Sequence, residues 1–116
     1  MNVVVKDVIQ TNVAISAKKG EVLYNALNKE LGKNQNVIVD FEGITDLTTA
    51  FLNVGIGHLY NSFSSQELNE KLDIINLDDL DQYLLVQVIE RVKLNQSKEE
   101  EFEALIREVM NDGDDS

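Results

Sequence analysis

The chain has no cysteine and no proline among its 116 residues. Without cysteine it can form neither disulfides nor thiolate metal sites, which suits a reducing compartment. No apolar run approaches the roughly 20 residues needed to span a bilayer. The first residues lack the basic start, long apolar stretch and cleavage site of a signal peptide. We therefore predict a cytoplasmic protein whose length fits one domain.

Basic residues are scarce, since 10 lysines and arginines face 21 acids and leave a net charge of -11. Residues 97–116 carry -6 of this charge. Nucleic-acid affinity comes largely from neutralising phosphates with Lys and Arg, so direct DNA or RNA binding is disfavoured. Anionic membranes are disfavoured for the same reason. A protein partner with a basic surface would instead be attracted.

Runs of β-branched residues predict four strands. The first two lie at residues 3–9 and 12–15 and are expected to form an antiparallel pair. Residues 37–41 begin with an unbroken apolar run, which is typical of a central parallel strand buried on both faces. Residues 72–76 are predicted to form another buried strand.

Apolar residues at helical spacing predict helices over residues 19–31, over 48–63 and from Asp78 onward. Gly32 stands where a glycine ends the first helix, and Asp78 can cap the third. The expected stripes are Leu23, Leu27 and Leu31, then Phe51 or Leu52, Ile56, Leu59 and Phe63, then Leu80, Leu84, Val88 and Val92. Helices between strands imply crossovers, so the order β-β-α-β-α-β-α predicts an α/β fold with a mixed, mostly parallel sheet.

A further amphipathic helix is predicted near the C-terminus. Ser97 and Glu100 have the spacing of a capping box. We predict a body over residues 1–94, this extra helix over 95–111, and an acidic disordered tail over 112–116. The apolar stripe of the helix either packs on its own domain or docks on a partner or a second copy. It comprises Phe102, Leu105, Ile106, Val109 and Met110.

Residues 37–59, VIVDFEGITDLTTAFLNVGIGHL, resemble the centre of a STAS-like domain. The resemblance is to the small stand-alone STAS-like family of unknown function, distantly similar to anti-sigma-factor antagonists. It rests on the strand ending in Asp40 and Phe41, on Gly43, on the threonine turn at 48–49, and on Phe51, Gly57 and Leu59. More weakly it covers residues 3–94.

The resemblance implies a non-enzymatic protein-binding module. In anti-sigma-factor antagonists, a histidine-kinase-like ATPase phosphorylates a serine in the turn before the second helix, and the phosphate breaks the complex. The added negative charge at a docked helix start explains that effect. The resemblance implies partner binding here by Asp46, Leu47, Thr48, Thr49, Phe51 and Asn53.

This sequence departs from that pattern in the turn itself. Ala50 occupies the position aligned with the phosphorylated serine, so Thr49, or else Thr48, is the possible phosphoacceptor. Threonine at a helix start is also a good N-cap, and we favour that role for the pair. Asn53 and Val54 replace the acidic pair that commonly follows the phenylalanine.

Other candidate sites favour structural roles. The glycines of Gly55-Ile56-Gly57 lie inside a helical pattern and favour close packing over phosphate binding. His58 has no companion ligands, and the aspartates from Asp78 lack the calcium-loop spacing. Asp40 ends a central strand, where one carboxylate favours turn formation over acid–base catalysis. We therefore expect no catalytic residue, no metal and no cofactor.

Three functions follow from these observations. The first is a regulatory interaction module that binds a histidine-kinase-like ATPase or another regulatory or effector protein. The second is a stoichiometric inhibitor or antitoxin-like protein, of the mobile-element or phage counter-defence type, that binds a larger effector. The third is an enzyme, with a nucleotide near Asp40 and Thr48, and the absence of a nucleophile–base pair in the sequence ranks it last.

Overall fold

The computed structural model describes the backbone of residues 1–114 and the side chains of residues 1–96. Residues Asn53–Gly57 form a π-helical turn. The other elements are β1 (Asn2–Val4), α1 (Val5–Ile9), β2 (Val13–Ala14), α2 (Ala17–Gly32), β3 (Val37–Asp40), β4 (Asp46–Leu47), α3 (Thr49–Leu52), α4 (Leu59–Ser62), α5 (Ser65–Lys71), β5 (Leu72–Ile75) and α6 (Asp79–Asp114).

A parallel three-stranded sheet lies at the centre, in the order β1-β3-β5. Val39 of β3 pairs with Val3 on one side and with Ile74 on the other. The prediction of a central parallel strand at residues 37–41 is confirmed, as is the α/β class with helices packed on parallel strands.

The predicted antiparallel pair at the N-terminus is wrong. Val5 and Ile9 are four residues apart and both are buried, so residues 5–9 form the short helix α1. That helix separates β1 from β2. As a result β2 pairs in parallel with β4 in a ladder of its own, with Val13 opposite Asp46.

Helix α2 begins and ends close to its predicted bounds. Ser16 caps it by accepting a hydrogen bond from the Lys19 backbone N–H at 3.1 Å. Leu23, Leu27 and Leu31 are all buried, as their spacing predicts. Gly32, however, is the last helical residue, and the left-handed residue beyond the helix is Asn34, with φ 62°.

The helix predicted over residues 48–63 is divided by the π-helical turn and ends at Ser62. A π turn holds more residues than an α turn, so it shifts the faces of the flanking helices. Phe51, Leu52, Ile56 and Leu59 are all completely buried. The predicted stripe is thus in the core except for Phe63, which is partly buried.

Helix α5 was absent from the sequence prediction, although Ser64 caps it by accepting the Glu67 N–H at 3.1 Å. The strand that follows is not buried as predicted. β5 pairs with β3 on one edge only, and Ile75 is 41% exposed. Its position at the side of the sheet leaves alternate side chains in solvent.

Helix α6 begins as predicted, because Asp78 accepts the Asp81 N–H at 2.8 Å. Leu85 and Val88 bury its inner face, but Leu80, which the predicted stripe includes, is 67% exposed and does not belong to the core. The helix is continuous to Asp114, with no new start at Ser97 and no end at residue 111. In the described part of the chain, no helix is long and apolar enough to cross a membrane.

The predicted C-terminal docking stripe lies outside the residues whose side chains are described. It stays a prediction for Phe102, Leu105, Ile106, Val109 and Met110.

Candidate functional site

Thr48 is held firmly at the start of α3. Its hydroxyl donates a hydrogen bond to the Ile15 carbonyl at 2.7 Å and accepts one from the Phe51 N–H at 3.3 Å. Its own N–H donates to the Ala14 carbonyl at 3.2 Å. The predicted capping role is therefore confirmed for Thr48. Because both sides of the hydroxyl are engaged, phosphate transfer to it would break the cap.

Thr49 stands in contrast to Thr48. It is the first residue of α3, and both Thr49 and Ala50 are exposed. No hydrogen bond of the described residues uses its hydroxyl. Of the two threonines, Thr49 is the one whose side chain a second protein can reach.

The remaining predicted partner-binding residues divide into surface and core. Asp46 and Asn53 are exposed, and Leu47 is partly buried against the core. Phe51 is completely buried, so the prediction that it contacts a partner is wrong. Its large ring instead anchors α3, which burial of an aromatic side chain does effectively.

A groove of about 270 Å³ runs between the start of α3 and the inner side of α6. Thr49, Ala50 and Asn53 form one wall. The α6 wall was not predicted, although its residues recur at intervals of three and four and so share one helix face. That wall is formed by Val88, Arg91, Val92 and Asn95.

Arg91 gives this groove its charge. The other lining residues are threonine, alanine, asparagine and valine, so the guanidinium is the charged group among them. A guanidinium offers five N–H donors in a planar fork that suits a carboxylate or phosphate. In an acidic chain the groove thus offers one positive charge together with the polar side chains of Thr49, Asn53 and Asn95.

Close packing of glycines fixes the walls of the groove. A Cβ on Gly20 would lie 2.9 Å from the Phe51 carbonyl oxygen, and one on Gly55 would lie 3.1 Å from Leu23 Cδ2. A Cβ on Gly57 would meet Val92 at 3.3 Å. The predicted packing role of the Gly55-Ile56-Gly57 segment is confirmed, but the neighbours are α2 and α6, not the sheet.

Tyr60 of α4 contacts α6 beyond the groove. Gln96 donates a hydrogen bond to its carbonyl oxygen at 2.7 Å, and Lys93 Nζ lies 5.8 Å from the centre of its ring. Partial burial raises the pKa of the Tyr60 phenol. His58 is exposed and forms an edge-to-face contact with Tyr24, with ring centres 6.2 Å apart.

A second polar cluster lies at the carboxyl end of the central strands. Asp40 Oδ1 accepts hydrogen bonds from Asn76 Nδ2 and from the Glu42 N–H, both at 2.9 Å. The Asn76 bond, then the Glu42 bond and the charge of Lys6, hold the pKa of Asp40 below its usual value. The predicted role of Asp40 in the turn with Gly43 is confirmed.

The Asp40 carboxylate is engaged by the two hydrogen bonds of this turn. A carboxylate with a lowered pKa and two accepted hydrogen bonds is a poor general base. Lys6 lies across Gly43, whose φ of 82° favours glycine, with Nζ 3.0 Å from where a Cβ would stand. Among the described residues, no group of three or more His, Cys, Asp or Glu side chains could hold a metal ion.

A larger groove, of about 510 Å³, follows the outer edge of β1. Val4, Val8 and Ala26 make it apolar, and Asp7, Lys29 and Glu30 carry charges of both signs along it. It contains none of the predicted site residues. The volume of this groove alone does not indicate a ligand or a reaction.

Comparison with models of known families identifies a family that the chain matches. The family described as a STAS-like domain of unknown function matches residues 19–82. The match covers α2, β3, the α3 start and β5, and so includes the threonine turn. No curated protein and no solved structure shows significant similarity to the chain. Since the family match spans more than half of the sequence, this chain belongs to the family of STAS-like domains of unknown function.

Proposed function

We propose that this STAS-like domain is a non-enzymatic, cytoplasmic interaction module that binds a regulatory protein at the groove between α3 and α6. One observation carries the proposal: Thr49 and Ala50 at the start of α3, and Asn53 directly after it, are exposed on a helix that the Thr48 cap and the buried Phe51 hold in place. A rigid scaffold that presents exposed polar residues at the end of an element is a common basis for recognition.

The expected partner is a histidine-kinase-like ATPase or another regulatory protein. This expectation extends the behaviour of anti-sigma-factor antagonists to the present chain. Arg91 in the groove suits a partner that offers a carboxylate there, because a guanidinium pairs with it in bidentate fashion. The net charge of -11 argues against nucleic acid and anionic membranes as partners.

Thr49 is the proposed site of regulation within this surface. A phosphate on its exposed hydroxyl would add nearly two negative charges beside Arg91. That charge would compete for the guanidinium with any acidic group of the partner. Thr48 does not suit this role, because its hydroxyl is already the cap.

The test is affinity capture from the native cells with three forms of the full chain: wild type, Thr49→Glu and Asn69→Glu. Asn69 is exposed on α5 and gives a control with the same added charge. We expect wild type and Asn69→Glu to recover the same regulatory protein, and Thr49→Glu to bind it at least about tenfold more weakly, a loss of about 1.4 kcal/mol.

Equal recovery by all three forms would reject the groove as the binding surface. If that equally recovered protein were a large effector, the inhibitor function would be favoured instead.

A further inference from the structure

The outer face of α6 carries apolar side chains that nothing in the described part of the chain covers. Leu80, Tyr83, Val86 and Leu94 are between 51% and 67% exposed. They are half of the large hydrophobic residues found exposed in that part. We call these four residues the outer stripe.

The outer stripe forms one continuous side of the helix. At about 100° per residue, its four members fall within an arc of about 120°. Leu85 and Val88, which pack on the body, point almost the opposite way. A helix that is apolar on two opposite faces is typically buried on both. The body of this domain buries only one of them.

The two leucines of the outer stripe lie symmetrically about Gln87. Leu80 and Leu94 each lie seven residues from Gln87, so a two-fold axis at Gln87 places each leucine against the other leucine of a second helix. Val86 then lies beside Val86 of the second copy. Seven-residue spacing is the repeat that keeps a seam facing its partner over several helical turns.

The charges along this region favour an antiparallel pair. Residues 72–90 contain five acids and no base, whereas Arg91 and Lys93 follow directly. Within the overlap of residues 79–95, an antiparallel arrangement about Gln87 brings Lys93 of each helix within about one helical turn of Asp79 of the other, and a parallel one places like charges side by side. A foreign partner would have to reproduce both the leucine spacing and this charge order. A second copy does so by symmetry.

We propose that the chain forms an isologous homodimer through the outer stripe, with two α6 helices antiparallel and crossing at Gln87. The overlap from residue 79 to 95 is about 25 Å long at 1.5 Å per residue. The outer stripe shares no residue with the lining of the groove that contains Thr49, nor with the predicted stripe at 102–110.

Single cysteines in the otherwise cysteine-free chain test this geometry directly. Gln87→Cys places two thiols at the two-fold axis. Glu90→Cys places them on the stripe but about 9 Å apart along the axis, because each is three residues from the crossing point. Disulfides need Cα atoms within about 7 Å, so the second pair cannot bridge in an antiparallel dimer. Asn69→Cys, on α5, reports random collisions.

We expect mild oxidation at micromolar protein to cross-link Gln87→Cys roughly a hundredfold faster than Asn69→Cys, because the dimer raises the effective thiol concentration to the millimolar range. Glu90→Cys should react as slowly as the control. Wild type should sediment at twice the chain mass, and Leu94→Glu as a monomer with an unchanged circular dichroism spectrum.

Three results would each overturn the proposal. Sedimentation of wild type as a monomer at the concentrations used for cross-linking would refute the dimer. Equal cross-linking rates for Gln87→Cys and Asn69→Cys would show that the disulfides form by random collision. Cross-linking of Glu90→Cys as fast as that of Gln87→Cys, or faster, would show a parallel pair or a different crossing point.

Discussion

Replacing Gly20 with alanine should destabilise the domain, although alanine is normally the better helix residue. Gly20 is the fourth residue of α2 and is buried against the helical turn that follows Phe51. An added Cβ would lie 2.9 Å from the Phe51 carbonyl oxygen, 3.0 Å from Val54 Cβ and 3.3 Å from the Gly55 backbone nitrogen. Two of these neighbours are backbone atoms, which cannot move without displacing the α3 start.

Two opposing effects set the magnitude of the loss. Alanine in a helix interior gains up to about 1 kcal/mol over glycine. Forcing an extra carbon into a packed site costs about 1–3 kcal/mol. We therefore expect Gly20→Ala to lower the free energy of unfolding by up to about 2 kcal/mol, the packing cost less the helix gain.

Gly32→Ala is the matched control, since it makes the same change in the same helix. A Cβ on Gly32 would have no atom within 4 Å, and its φ is not positive. This variant should be neutral or more stable by up to about 1 kcal/mol. Urea unfolding followed by circular dichroism measures both variants, with an unchanged m-value expected for each. If Gly20→Ala is as stable as Gly32→Ala, the close contact between α2 and the π-helical turn is wrong.

Two further predictions concern the polar contacts of the site. Thr48→Ala should lower the free energy of unfolding by about 1 kcal/mol, the usual contribution of an N-cap. Thr49→Ala should stay within about 0.5 kcal/mol of wild type. Equal losses for the two variants in urea unfolding would contradict the assignment of the cap to Thr48. Asn76→Gly keeps the left-handed backbone at φ 61° but removes the amide donor, so the pKa of Asp40 should rise towards its usual value in an NMR titration, and an unchanged pKa would contradict the stated cause.

The lowered pKa of Asp40 also sets a direction for stability against pH. A carboxylate with a depressed pKa contributes stability above its unfolded pKa, and this contribution is lost as the pH falls through its folded pKa. Asn76→Gly should therefore flatten the fall in stability at acid pH relative to wild type.

Local patterns in the sequence were enough to predict several elements. The leucines of α2, the apolar run of β3, and the caps at Thr48 and Asp78 all depend on neighbours within four residues. The family resemblance rests on the same central segment, and it is confirmed over residues 19–82. Such short-range signals determine where an element begins and which face it buries.

Other features depend on contacts that no local pattern specifies. The parallel pairings of β1 with β3 and of β2 with β4 join distant segments. The α6 wall of the groove requires Thr49 and Arg91 to be neighbours in space. The π-helical turn packs closely on α2, since a Cβ on Gly55 would lie 3.1 Å from Leu23 Cδ2. Conversely, α5 had a usable sequence signal, since Ser64 and Glu67 have capping-box spacing.

The account depends most on the groove between α3 and α6 as the binding surface. A photo-reactive amino acid placed at Asn53, in the groove, and at Asn69, on α5, tests this with the captured partner. We predict that irradiation of the complex cross-links the partner from position 53 and not from position 69. Cross-linking from position 69 alone would contradict the account.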